Sequence, residues 1–297
     1  MKEFIYLNYG IKVNQVYFRK ENYFFFINDQ QIKIMELDSN EMILNYLFEL
    51  TNYLYNNRIN INTFLINKIK KCYTIKNQKY IVLLKENNFA DKITIEYIKQ
   101  FSKIENNLLK YDFVNEWKAE VDYIEEKLME YNKEYLIIQS SINYYIGLAE
   151  NAISLLNSIN IKDYDNNLTI GHKITYYDYD ISHFDNPFCF IKTHSMYDVA
   201  NYFKYNFYKN TINYKELDEI LYENTDDNEK IILFANLLYP NYYLDSVMSI
   251  LNDENLVLEK NIDSFVNMIK NYENFLLYCK IRLKNVNLVN LINWIDD

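Results

Sequence analysis

Short runs rich in aromatic and β-branched residues dominate the first ninety positions, and apolar residues at intervals of three and four dominate the rest of the chain. Residues 13–19, 22–27 and 31–37 predict strands, the last two joined at the turn-prone pair Asn28-Asp29. After Asp38-Ser39, which can cap a helix, Ile43, Tyr46, Leu47, Leu50, Tyr53 and Leu54 fall at helical spacing and predict a helix over 41–56. Residues 73–76 and 79–85 predict a second hairpin about Asn77-Gln78, and the polar Glu86-Asn87-Asn88 behind it is a candidate hinge. Beyond it the period is helical over 91–110, 115–130 and 134–157. Further helices are predicted over 197–208, 214–222, 228–238, 242–251, 258–283 and 288–294, with Pro240 separating two of them because it has no amide to donate. The pattern divides the chain into a β-rich region with one helix, 1–86, and a helical region, 87–297.

Composition narrows the function classes. With 297 residues, 49% hydrophobic content, three glycines and two prolines, the chain can bury a large core. A net charge of -10 disfavours nucleic acid and anionic membranes as partners, since both need a concentrated excess of Lys and Arg. The one basic run, KIKK at 68–71, reads as a solvated face. Cys72, Cys189 and Cys279 lie far apart without a CxxC pair, which speaks against a disulfide framework or structural zinc and fits a reducing cytoplasm. No window approaches 18 uncharged apolar residues, so no membrane insertion is expected.

Candidate chemistry concentrates in 169–204, TIGHKITYYDYDISHFDNPFCFIKTHSMYDVANYFK, which holds all three histidines, Gly171, Pro187 and the densest group of carboxylates beside histidines. Within it THSMYDVANYFK at 193–204, together with NYGIKVNQVYFRKENYFFFI at 8–27, INYYIGLAENAI at 142–153 and ILFANLLYPNYYLDSV at 232–247, resembles the spore-coat kinase-like proteins of the CotS/YutH type. Those belong to the aminoglycoside phosphotransferase and choline kinase-like superfamily. The resemblance implies an α+β, protein kinase-like fold, with a small antiparallel β N-lobe and a large helical C-lobe containing the catalytic loop. Active members carry His-Gly-Asp, then Asn, then a second Asp. The first Asp accepts the acceptor hydroxyl's proton, and Asn and the second Asp hold magnesium against the phosphates.

Carried over residue by residue, the histidine is His172, but Ile174 stands where the catalytic Asp belongs and Tyr179 where the Asn belongs. Counting back from Asp198 puts Cys189 at the metal Asp, and a thiol suits hard magnesium poorly. A rival register would use Asp178, Asp180 or Asp185, which otherwise form a solvated loop tip. His172 and His183 could ligate a metal, although such histidines more often make structural hydrogen bonds. Asp198 matches a carboxylate that braces the catalytic loop through backbone amides. Lys33 is the candidate for pairing with nucleotide phosphates, with Glu41 or Glu49 to hold it, but glycines only at 10, 147 and 171 leave no phosphate-cradling loop.

These readings predict a catalytically inactive kinase-like protein with no cofactor. It would bind other proteins, with spore-coat components and the spore coat as the partners and location that the resemblance implies. The alternatives are an active small-molecule phosphotransferase that uses ATP and magnesium through displaced aspartates, and an unrelated helical interaction protein with a β-rich cap. The 31 tyrosines suggest an aromatic contact surface.

Overall fold

A computed structural model describes residues 1–19, 22–87, 92–102, 104–130, 135–159, 168–223, 226–253, 256–283 and 286. The chain forms two compact units, residues 1–93 with 180–190, and residues 94–179 with 191–297. The 86/87 boundary drawn from the sequence leaves 180–190 with the helical region, whereas the coordinates group that segment with the sheet.

The first unit opens with a helix that the strand-like reading of this region overlooked, α1 (Lys2–Tyr9), closed by Gly10 at φ 75°. Strands β1 (Tyr17–Arg19), β2 (Asn22–Ile27), β3 (Gln30–Leu37), β4 (Thr63–Phe64), β5 (Thr74–Lys76) and β6 (Lys79–Lys85) make one antiparallel sheet. Its order is β1-β2-β3-β6-β4, with β5 also pairing with β6. Both predicted hairpin turns use consecutive left-handed residues, Asn28 and Asp29 at φ 46° and 64°, and Asn77 and Gln78 at φ 50° and 65°. Two such residues match the right-handed twist of the flanking strands. Phe25, Ile32, Ile34, Ile81 and Leu83 share the sheet face that packs against Ile5 and Tyr9 of α1. Helix α2 (Glu41–Asn56) is capped by Asn40, whose side chain accepts from the Ile43 amide at 3.0 Å.

The second unit is mainly helical. The predicted helix over 91–110 shrinks to α3 (Ile95–Phe101), because beyond it the chain runs out to join a strand. Tyr111 N donates to Lys192 O at 2.8 Å, and Lys192 N to Leu109 O at 3.0 Å. Helices α4 (Phe113–Glu130) and α5 (Leu136–Asn157) come next, then β7 (Leu168–His172), the short α6 (Ile181–Phe184) of the first unit, and β8 (Phe190–His194), which pairs with β7. The remainder is α7 (Met196–Tyr208), α8 (Tyr214–Glu223), α9 (Asp227–Leu238), α10 (Asn241–Asp253), α11 (Asp263–Asn267) and α12 (Ile269–Arg282). Every residue of α9 from Ile231 to Leu238 is buried, as its near-continuous apolar run requires, and α9 packs against α5 and α7. The single helix expected over 258–283 is broken into a 3-10 segment (Leu256–Ile262), α11 and α12. The helix expected over 288–294 lies outside the described residues.

Tyrosines build much of this core. Tyr208 and Tyr242 pack with Phe265 and with Tyr272, and the rings of Tyr145 and Tyr243 stack at 3.6 Å. Their burial qualifies the aromatic contact surface suggested by composition, although Tyr6, Tyr53 and Tyr222 are among those exposed. No helix among the described residues is long and apolar enough to cross a membrane.

Candidate functional site

The end of β7 and the start of α7 are joined through one buried carboxylate. Asp198 Oδ1 accepts from the His172 amide at 3.0 Å, and Asp198 Oδ2 lies 2.7 Å from His172 Nδ1. Both side chains are nearly sealed from solvent, and the edge of Phe101 closes on the imidazole with ring centroids 4.8 Å apart. The strands here approach so closely that a β-carbon on Gly171 would lie 2.1 Å from Thr193 Cγ2. Space makes position 171 a glycine. His194, at the end of β8, is buried, and its Nδ1 accepts from the Met196 amide at 3.3 Å; burial pushes its pKa down to about 4.

Immediately after His172, Lys173, Ile174 and Thr175 line a cavity of about 90 Å³. Its other walls come from Tyr111, from Trp117 and Glu120 on α4, from Tyr197 and Lys204 on α7, and from Asn236, Tyr239, Asn241 and Asp245. The indole of Trp117 stacks on Tyr239 at 3.9 Å with the planes 5° apart, and the Tyr239 hydroxyl donates to Glu120 Oε2. Lys204 is 4% exposed; its ammonium donates to Tyr239 O at 3.1 Å and Asn241 Oδ1 at 2.6 Å. Burial pushes the Lys204 pKa down to about 7, and burial followed by the charge of Glu120 pushes Asp245 up to about 7. Glu120 is raised too, chiefly by desolvation.

The residues singled out from the sequence divide between the two units. In the second, His172 and Asp198 meet, Ile174 is 8% exposed on the cavity wall, and Tyr179 is buried. Asp178, also in this unit, is exposed and accepts from Thr175 Oγ1 at 2.9 Å. In the first unit, Asp180 caps α6 and accepts from the His183 amide at 3.0 Å, His183 Nδ1 at 2.9 Å and Ser182 Oγ at 2.9 Å. Although desolvation opposes ionisation, these bonds hold its carboxyl well below the usual range. Asp185 is fully buried, and Cys189 ends a 3-10 turn (Pro187–Cys189). Lys33 sits on β3 opposite Phe24 and Leu84, and the acid whose titration it influences is Glu86, which burial raises. Glu41, offered as its partner, instead pairs with Lys71 at 3.0 Å, and Glu49 is exposed. Among the described residues no group of three or more His, Cys, Asp or Glu side chains is placed to hold a metal ion.

Glu120, Lys204, Tyr239 and Asp245 were not singled out from the sequence. A signal existed for one of them: Lys204 falls in phase with buried Ala200, Phe203 and Phe207, a charged residue on the apolar side of its helix.

Known structures define the class. The chain is similar to an aminoglycoside phosphotransferase from Alicyclobacillus acidocaldarius, at 8% identity over 96% of this chain and 97% of that one, with a TM-score of 0.71. It is also similar to a spectinomycin phosphotransferase (13% identity, 92% of each chain, TM-score 0.57) and an amicoumacin kinase (11%, 88% and 91%, TM-score 0.51). At such identities the likeness establishes the fold, which is aminoglycoside phosphotransferase-like: an antiparallel N-terminal sheet and then a helical C-terminal part. Within that class the chain belongs to the family described as "Spore coat putative kinase YutH", whose sequence profile matches residues 2–279. Among curated protein sequences no significant match is found.

Proposed function

We propose that this member of the YutH family is a non-catalytic kinase-like protein that acts by binding, as a scaffold component of the spore coat. One observation carries the reading: two residues beyond His172, on the wall of the cavity, stands the side chain of Ile174. Phosphoryl transfer needs a carboxylate there to orient the acceptor hydroxyl and take its proton, and an aliphatic group does neither. The implied nucleotide and magnesium fit poorly as well. A buried tyrosine, Tyr179, and the thiol of Cys189 stand at the positions that the family resemblance assigns to metal ligands, and hard magnesium prefers carboxylate and carbonyl oxygens.

The test is a thermal-shift titration with ATP and magnesium chloride, run beside an ATP turnover assay. The expected result is an unchanged melting temperature and no turnover. A concentration-dependent, magnesium-dependent rise with turnover, lost in Asp178→Asn or Asp180→Asn, would overturn the reading and establish a phosphotransferase using displaced aspartates.

A further inference from the structure

The charges of this acidic chain are unevenly spread. Between Glu49 and Glu86 stand seven Lys or Arg and no Asp or Glu, in a sequence whose acids outnumber its bases by ten. Within that stretch, residues 66–71 form a turn built on the buried side chain of Asn67. Its Oδ1 accepts from the amides of Ile69 at 3.0 Å and Lys71 at 2.9 Å, and its Nδ2 donates to Tyr73 O at 2.7 Å. Lys68 ties the turn to α1: its amide donates to Asn8 O at 2.8 Å, its ammonium to Tyr6 O at 2.9 Å, and it rests over the Tyr6 ring. What this scaffold presents is apolar. Ile69 is 74% exposed between Lys68 and Lys70, and Ile66, Tyr6 and Leu7 are each more than half exposed. Clustered exposed hydrophobics mark contact sites, and a tip that is already ordered loses little freedom on binding.

The second unit carries the converse arrangement on α4. Trp117, Val121 and Ile124 turn one side of that helix into the core, which leaves Asp122, Glu125, Glu126 and Met129 together on the exposed side. Met129 is 76% exposed, and the three acids precede it within two turns, against one base on the same stripe, Lys118. An apolar tip among lysines and an apolar stripe among acids are complementary in both respects.

From these two faces we infer that one copy of this chain docks on a second copy, the Ile69 tip of the first seating on the Met129 stripe of the other, with Lys70 and its neighbours meeting Asp122, Glu125 and Glu126. Because the two surfaces differ, the contact is heterologous, and each copy keeps one surface of each kind for a further neighbour. Exposed ion pairs contribute little individually and are screened by salt, so the contact is weak and salt-sensitive, and the apolar residues set where it forms. A polyanion or an anionic membrane is a poorer occupant. Lys71 is paired with Glu41 and Lys68 with Tyr6 O, which leaves few cations of the tip uncommitted, and the acidic remainder of the chain repels a polyanion. The inference goes beyond the non-catalytic reading and does not depend on it: the ATP titration tests that reading, and the state of association tests this one.

The experiment is sedimentation equilibrium of the full chain over a range of concentrations. In low salt the mean mass is expected to climb above the 36.2 kDa of one chain as concentration rises. It should fall back in about 1 M sodium chloride, where charges are screened within about 3 Å. Ile69→Glu alone and Met129→Lys alone should each weaken the association at least about tenfold, as loss of a central contact residue does. Both positions are exposed, so the variants keep the fold, which circular dichroism checks. Mixed in equal amounts the two variants should associate again, since each still carries the surface that the other has lost. A wild-type chain that stays monomeric, an association that either variant leaves unchanged, or a mixture that fails to recover overturns the proposal. So does Ile69-dependent flotation with phosphatidylglycerol vesicles by a chain that remains monomeric.

Discussion

Position 171 shows how closely a single side chain can be constrained by its neighbours. Gly171 is required by space, since its missing β-carbon leaves room for Thr193 Cγ2 on the paired strand. Gly171→Ala must displace the Thr193 side chain or the strand that carries it and is expected to cost about 1–3 kcal/mol, the usual penalty of an overpacked core, read as a lowered urea midpoint. The opposed titrations in the cavity give a second expectation for single residues. The Asp245 pKa is raised from 3.8 to about 7, so between those values the folded state holds a proton that the unfolded chain has released, and this group makes stability fall as pH rises. The Lys204 pKa is lowered from 10.5 to about 7, so between pH 7 and 10.5 the unfolded chain holds the extra proton and this group makes stability rise with pH. Together they place a minimum near pH 7 in their contribution. Melting temperatures across pH 4–10 should lose the falling limb in Asp245→Asn and the rising limb in Lys204→Met.

Among the elements, helices and hairpins were legible wherever one local signal sufficed. Helix α2 runs over the predicted 41–56, and both hairpins turn on the predicted pairs, since an apolar period and left-handed Asn or Asp residues are properties of the local sequence. Failures occurred where a distant partner intervened. The 91–110 segment is helical in its period, but Leu109 and Tyr111 exchange hydrogen bonds with Lys192 some eighty residues away. The break in 258–283 has a similar cause: Glu259 is buried in a 3-10 segment and its Oε1 accepts from the Ile137 and Ile138 amides at 2.7 and 2.9 Å, capping α5 from outside that helix. Glu259→Ala is expected to cost about 1–2 kcal/mol, with a smaller loss for Glu259→Gln, which keeps an acceptor, measured by urea unfolding monitored by circular dichroism.

For the whole molecule, charge makes a direct prediction. At -10 and with a pI near 5.0, the protein should flow through heparin at low salt and be retained by an anion exchanger at pH 7; retention on heparin would reveal a basic surface that net charge conceals. Helix α2, the hairpin turns and the run of buried α9 were set by the sequence alone, because burial period and turn chemistry act between near neighbours. The candidate site was legible only in part. His172, Ile174 and Asp198 stood out, yet the His172–Asp198 bonds and the Gly171–Thr193 approach exist only once β7, β8 and α7 are assembled. The cavity lay further out of reach. Glu120, Lys204 and Asp245 come from three helices separated by long stretches of chain, and what makes them a site is shared desolvation, a property of the packed interior that no segment carries before it folds.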